Sequence, residues 1–427
     1  MPDSLLYITL TNSDDVYTPG SVVEGIAHLV LHEPMKARKL KIIFEGLACT
    51  ACLSTITASN SFTLWVWDTG VTSVTYIDPY FGKAIYANDE IIAWTASPGE
   101  KEVLAVGTYQ FQFAFKLPAE LPPSFEGIFG YIRYMVKMEI DRPWRFNKKD
   151  KKVFTVVPTF NLNSLSRTVM PVKETKGKNL GFILFRHGKC ETNKSGFVPG
   201  EMVLVSIRVI NDSSKDIVKA EIKLIEVSNC VASWGGGNFP QSSFIAPAAG
   251  DARTQRRKLA TKMAAFNDRR TQRRKLATGE QDADIAQKSK GVIQLYLQVP
   301  STVPSFDNCP IIKVEYFIEV KLTITGSINS KIEVEIPIVI GTVPVRGTYE
   351  DGVPSTSASA PPEKEEAMPP PYLDGDTVPP SYVESVKGVE GTVVDMENME
   401  PFVPRYPFYP NLRRSDDGDL PDKDVHF

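Results

Sequence analysis

Alternation of apolar and polar positions runs through most of the first 345 residues and predicts strands. Residues 109–117 are the clearest early case. Tyr109, Phe111, Phe113, Phe115 and Leu117 fall on one side, with Gln110, Gln112, Ala114 and Lys116 on the other. Side chains alternate faces along a strand, so this pattern predicts a sheet with one buried face. Residues 131–140 repeat it, with Ile132, Tyr134, Val136, Met138 and Ile140 inward. Residues 5–10, 21–31 and 40–45 read as further strands. Tyr17-Thr18-Pro19-Gly20 forms a turn between the first two, and Pro118, Pro122 and Pro123 punctuate a loop.

Residues 161–178 lose the alternation and turn polar, so they are read as a linker. The pattern then resumes. Val203, Val205, Ile207 and Val209 alternate with Leu204, Ser206, Arg208 and Ile210, which suggests a strand buried on both faces. Residues 313–324 are the cleanest strand: Val314, Tyr316, Ile318, Val320, Leu322 and Ile324 face in, against Lys313, Glu315, Glu319 and Lys321. Ile332, Val334, Ile336 and Ile338 follow. Short strands separated by turn signals predict β-sandwiches. One stretch breaks the rule. Residues 253–261 read RTQRRKLAT and residues 270–278 repeat it. It is read as a duplicated, solvated basic loop that could carry a short exposed helix and meet phosphates or acidic lipids.

Length and charge refine this picture. A chain of 427 residues exceeds one core and suits two domains plus a tail. The expected division is residues 1–157, a linker over 158–178, residues 179–345 and a tail over 346–427. That tail holds 17 acidic and 6 basic residues from Glu350 onward, leaving 34 acidic and 42 basic residues in the body. Thirteen of the 32 prolines also lie there. Such a segment buries too little apolar surface to offset chain entropy, so disorder is expected. Five cysteines are no disulfide framework, and the first residues lack a signal-peptide pattern. A reducing, cytosolic compartment is therefore expected, with peripheral membrane contact only, since no stretch reaches the ~18 apolar residues of a span.

Within the tail, Pro369-Pro370-Pro371-Tyr372 and Pro379-Pro380-Ser381-Tyr382 are two copies of P-P-x-Y. Proline-rich chain adopts polyproline II, with three residues per turn. Pro369 and Tyr372, and Pro379 and Tyr382, thus share a face: a stiff ridge ending in an aromatic ring. That ridge suits the aromatic-lined groove of a WW domain, with Pro370 and Pro380 completing it. A flexible spacer of about 24 residues, from Val345 to Pro369, has a typical reach of ~25–30 Å. Two sites ten residues apart could engage tandem WW domains.

Several stretches together resemble one family, the arrestin fold, and within it the α-arrestins. They are Tyr17-Thr18-Pro19-Gly20-Ser21-Val22-Val23-Glu24-Gly25, residues 107–113, Leu121-Pro122-Pro123-Ser124-Phe125-Glu126-Gly127, Gly130-Tyr131-Ile132-Arg133-Tyr134 and Asp141-Arg142-Pro143-Trp144. The second half adds Phe197-Val198-Pro199-Gly200-Glu201, Asn211-Asp212-Ser213-Ser214 and residues 336–342. The resemblance implies an all-β chain: two tandem arrestin-like, immunoglobulin-type sandwiches followed by a disordered Pro-rich acidic tail. It also implies an adaptor that joins cytosolic parts of membrane receptors or transporters to a HECT-type E3 ubiquitin ligase through WW domains. Cytoplasmic residence with recruitment to plasma membrane and endosomes follows. A ubiquitin-independent trafficking scaffold of the same fold is the alternative.

Catalytic chemistry is not expected. Cys49 and Cys52 have C-x-x-C spacing without a partner pair, while Cys190, Cys230 and Cys309 stand singly, so no metal is expected. His28 and His32 read as surface or edge residues. Phosphate-loop, dinucleotide and nucleophile-elbow patterns are missing, and neither a cofactor nor nucleic acid is called for. Arg142, Arg145, Lys148, Lys149, Lys151 and Lys152 form a positive cluster compatible with a solvated turn, with phosphorylated cargo or phospholipid contact, or with ubiquitin acceptance.

Overall fold

The structure, a computed structural model, describes residues 4–60, 72–96, 103–180, 183–234, 267–325, 331–345, 381–385 and 402–410. Apart from two- and three-residue pieces, the first domain is built from β1 (Ser4–Leu10), β2 (Val22–Leu31), β3 (Lys39–Asn60), β4 (Thr72–Thr95), β5 (Gly107–Lys116), β6 (Gly130–Asp141) and β7 (Lys148–Val156). The second contains β8 (Val172–Leu180), β9 (Ile183–Thr192), β10 (Met202–Asn211), β11 (Ile217–Trp234), β12 (Asn267–Ile285), β13 (Ser289–Gln298), β14 (Ile312–Ile324) and β15 (Lys331–Ile340). Each domain packs two sheets face to face. In the first, β1–β2–β5 covers β4–β3–β6–β7; in the second, β8–β9–β10–β13 covers β12–β11–β14–β15.

The alternation read from the sequence sets these faces. Ile132, Tyr134, Val136, Met138 and Ile140 are fully buried, and Phe113 and Phe115 meet them from the opposite sheet. Phe44 lies 5.8 Å from Phe115 and 6.1 Å from Phe154, ring centre to ring centre. Each such burial is worth about 1.5–3 kcal/mol relative to exposure. β14 buries every even position from Ile312 to Ile324. β10 is simpler than expected. Val203, Val205, Ile207 and Val209 are buried, but Arg208 is exposed and the remaining face is only half covered.

Two other expectations need correction. The polar stretch assigned to the linker ends in a strand: Val172–Leu180 is β8, antiparallel to β9. It is the outer strand of its sheet, where the exposed Lys173 suits an edge that must resist pairing with other chains. The piece before it holds a 3-10 turn at Leu162–Ser164 and a helical turn at Ser166–Val169. The second copy of the basic repeat is neither loop nor helix. It lies inside β12, paired along β11. Arg273 reaches Glu335 at 2.7 Å on the outer face, and Arg274 reaches Glu226 at 3.0 Å on the inner one. The first copy lies outside the described residues.

The domains join through one continuous sheet. β4 pairs with β11 at Phe81↔Ser233 and Tyr80↔Trp234. Around that seam Thr50 Oγ1 donates to the Val231 carbonyl at 2.7 Å, the Ile128 amide donates to Gln272 Oε1 at 3.0 Å, and Phe125 meets Phe306 edge-on at 6.0 Å.

Candidate functional site

Beside this seam the tail returns to the body. Of the predicted WW-binding residues, Pro369, Pro370, Tyr372, Pro379 and Pro380 lie outside the described residues, while Tyr382 is placed. It belongs to β16 (Ser381–Glu384), which pairs antiparallel with β17 (Arg405–Phe408), Tyr382 opposite Pro407. Two pieces of the tail expected to be unstructured are thus a small β-ribbon.

The ribbon is held by both domains. On the first, the Arg405 amide donates to Thr155 Oγ1 at 3.2 Å, and the Tyr406 hydroxyl donates to the Ser124 carbonyl at 2.7 Å. On the second, the Tyr409 amide donates to the Pro199 carbonyl at 3.0 Å and its hydroxyl to the Thr342 carbonyl at 2.7 Å. Ser301 Oγ donates to the Val383 carbonyl at 2.9 Å, tying down the strand that carries Tyr382. Tyr406 and Tyr409 are buried, whereas Tyr382 keeps 39% of its surface exposed. Tyr409 also packs with Leu162, Val198 and Val345.

A polar layer underlies the ribbon. Glu126 of the first domain holds Arg133 through two contacts, at 2.6 and 2.9 Å, with both side chains buried. Glu226 of the second accepts from Arg274 at 3.0 Å and from Thr302 Oγ1 at 3.2 Å, beside the Tyr316 hydroxyl. Burial, and then the nearby Glu226 and Glu126 carboxylates, push the Tyr406 hydroxyl well above its ordinary pKa. Burial, with a smaller contribution from neighbouring Tyr382, pushes Tyr409 up to about 12. Both phenols therefore stay neutral donors at physiological pH, as carbonyl partners require. Each carboxylate already has its guanidinium, which is the condition for keeping buried charge.

Sequence reasoning missed this seat. Its signal was Arg405-Tyr406-Pro407-Phe408-Tyr409-Pro410, an aromatic island within an acidic tail. The other predicted cluster runs along β6 and β7 from the ribbon's edge to the hairpin between those strands. Lys148 donates to Ser4 Oγ, Lys149 approaches Glu139 at 3.5 Å, and Lys152 pairs with Asp15 at 2.7 Å. Arg142 braces its own turn through the Phe146 carbonyl at 2.9 Å. Lys151 stands opposite Lys137 in register. Arg145 projects from the hairpin tip, so these six cations share one hairpin without converging on one point. Among the described residues no group of three or more His, Cys, Asp or Glu could hold a metal. No helix among them is long and apolar enough to cross a membrane.

Comparison with known proteins follows the same division. Residues 6–163 match the family model for the N-terminal domain of arrestin (or S-antigen), and residues 187–345 match that for its C-terminal domain. The chain is similar to arrestin domain-containing protein 17 of Caenorhabditis elegans, 24% identical over 347 residues, covering 79% of this chain and 70% of that protein. Human arrestin domain-containing protein 4 is 26% identical over 338 residues, covering 78% and 69%. Rat arrestin domain-containing protein 1 is 28% identical over 237 residues, covering 54% of this chain and 48% of the relative, so the match spans about half that protein's length.

Proposed function

The chain belongs to the arrestin family, with arrestin domain-containing proteins (the α-arrestins) as relatives, and from that premise we propose that it is a non-enzymatic trafficking adaptor. The two sandwiches engage cytosolic parts of membrane receptors or transporters. The P-P-x-Y motifs at Tyr372 and Tyr382 recruit a HECT-type E3 ubiquitin ligase through its WW domains. Ubiquitin transfer, carried out by the ligase, then commits cargo to endocytosis and endosomal sorting. The protein accordingly works in the cytoplasm and on plasma membrane and endosomes.

The observation that carries this reading is the joining of two arrestin domains to a tail with two P-P-x-Y motifs, the second of which ends in Tyr382 of the tail ribbon. A WW groove takes the Pro and Tyr of each motif on one face. In the ribbon, Tyr382 is paired with Pro407 and lies near Tyr409. Reading Tyr382 in a WW groove therefore requires its strand to leave the ribbon. Engagement of the second motif follows opening of the ribbon.

The direct test is calorimetry of a peptide spanning residues 368–386 against a panel of WW domains. Binding that the Tyr372→Ala/Tyr382→Ala double variant abolishes is the expected outcome. A peptide that binds none of them would sink the ligase reading in favour of a ubiquitin-independent scaffold.

A further inference from the structure

The hairpin joining β6 to β7 ends in a tip that the sandwich core does not use. Trp144 is 100% exposed and Phe146 is 94% exposed. Two aromatic rings held in water on one turn leave a large apolar surface uncovered, and such surfaces mark contact sites. The turn is nonetheless firmly built. Besides the bond from Arg142 to the Phe146 carbonyl, Asn147 Oδ1 accepts from the Arg142 amide at 3.3 Å, and Asn147 Nδ2 donates to Glu139 at 2.6 Å. Trp144 sits at φ 61°, a left-handed conformation uncommon for a bulky residue. Strain of that kind persists where the surroundings impose it. Here they hold the rings outward.

Charge accumulates around the same tip. Residues 142–149 read RPWRFNKK, with four cations and no acid. A neighbouring strand end adds more. The Arg38 amide donates to the Asp141 carbonyl at 2.9 Å, Lys39 stands opposite Asp141 in register, and both Lys36 and Arg38 are exposed. The acids at this end are Glu33, Glu139, Asp141 and Asp150. Glu139 is already engaged by Asn147 and by Lys149 at 3.5 Å. Cations remain in excess.

We propose that this tip is a membrane-docking wedge for anionic bilayers: Trp144 and Phe146 enter the headgroup region while Lys36, Arg38 and Arg145 meet lipid phosphates. The shape favours this occupant. A peptide partner would need a slot to enclose the rings, but the rings stand proud of a convex turn. A soluble phosphate would satisfy the cations and leave the rings in water. A bilayer interface accepts both at once, with the aromatic rings at headgroup depth and the long basic side chains reaching to the phosphates. This inference does not depend on the P-P-x-Y motifs.

The test uses the full chain and sucrose-loaded vesicles of phosphatidylcholine, with or without phosphatidylserine. Sedimentation with the phosphatidylserine vesicles is expected, weakening as salt rises. Trp144→Ala/Phe146→Ala should lower partitioning about tenfold or more, and Arg38→Glu/Arg145→Glu comparably. These side chains are exposed, so melting temperatures should not move. Acyl-brominated lipid should quench tryptophan emission in the parent chain and lose that quenching in Trp144→Phe. The proposal is overturned if anionic vesicles bring down no protein, or if binding survives loss of both rings. Competition by soluble inositol hexakisphosphate without any quenching would likewise overturn it.

Discussion

The turns at Thr18-Pro19-Gly20-Ser21 and Val198-Pro199-Gly200-Glu201 are one device used twice. The Ser21 amide donates to the Thr18 carbonyl at 3.1 Å, and the Glu201 amide to the Val198 carbonyl at 3.1 Å. Gly20 and Gly200 have φ of 83° and 94°, as a type II turn with Pro before Gly demands. Even the outward bonds correspond: Gly20 donates to Pro118 at 3.1 Å and Gly200 to Val299 at 2.7 Å, while Leu117 donates to Ser21 at 2.8 Å and Val299 to Glu201 at 2.9 Å. The surroundings differ. A Cβ on Gly20 would meet nothing within 4 Å, whereas one on Gly200 would lie 2.2 Å from the Tyr409 carbonyl oxygen. The two sandwiches repeat this turn, and the tail, held by both domains, lies against only the second copy of it. What distinguishes the copies is the occupant, and the occupant's ribbon carries a P-P-x-Y tyrosine.

The largest effect should come from substituting the two glycines. Gly20→Ala imposes a left-handed conformation on alanine, a cost of about 1–2 kcal/mol. Gly200→Ala imposes the same and also collides with Tyr409. It should lower the melting temperature further than Gly20→Ala, and hydrogen exchange should show the Arg405 and Tyr409 amides losing protection. Equal effects of the two substitutions would mean that the second turn is not a seat. Smaller losses are expected from removing single hydroxyls. Tyr406→Phe strips a bond to the first domain and Tyr409→Phe a bond to the second, each loosening the ribbon by about 1 kcal/mol, which exchange at those amides would report.

Alkali gives the gentlest perturbation. Tyr409 has its folded pKa raised to about 12, so the unfolded phenol ionises first. The stabilisation by this group is complete below the unfolded value, near 10, and is lost as pH rises through about 12. Ribbon protection should decline over that window, and in Tyr409→Phe that part of the decline should disappear.

Strands with one buried face were legible because apolar alternation is a direct imprint of burial, as Phe113 and Phe115 in β5 and the even positions of β14 show. The turns were legible through Pro19-Gly20 and Pro199-Gly200. The misses share a cause. β8 and β12 are edge strands rich in Lys and Arg, and charges that protect an edge erase the apolar rhythm by which a strand is read. The ribbon was hidden differently. Tyr406 and Tyr409 gain their burial from a groove formed by residues far away in sequence, such as Ser124, Thr155 and Thr342. Tail-wide composition averages such a short island away. The first P-P-x-Y motif lies outside the described residues.

The central claim is that the second motif cannot be seated and read at once. Hydrogen exchange of the full chain carrying Tyr372→Ala, measured with and without a saturating WW domain that binds the 368–386 peptide, tests it most directly. The account predicts that the WW domain strips protection from the Arg405 and Tyr409 amides, and that Tyr372→Ala/Tyr382→Ala is left unaffected. A WW domain bound at Tyr382 with both amides still protected would contradict it.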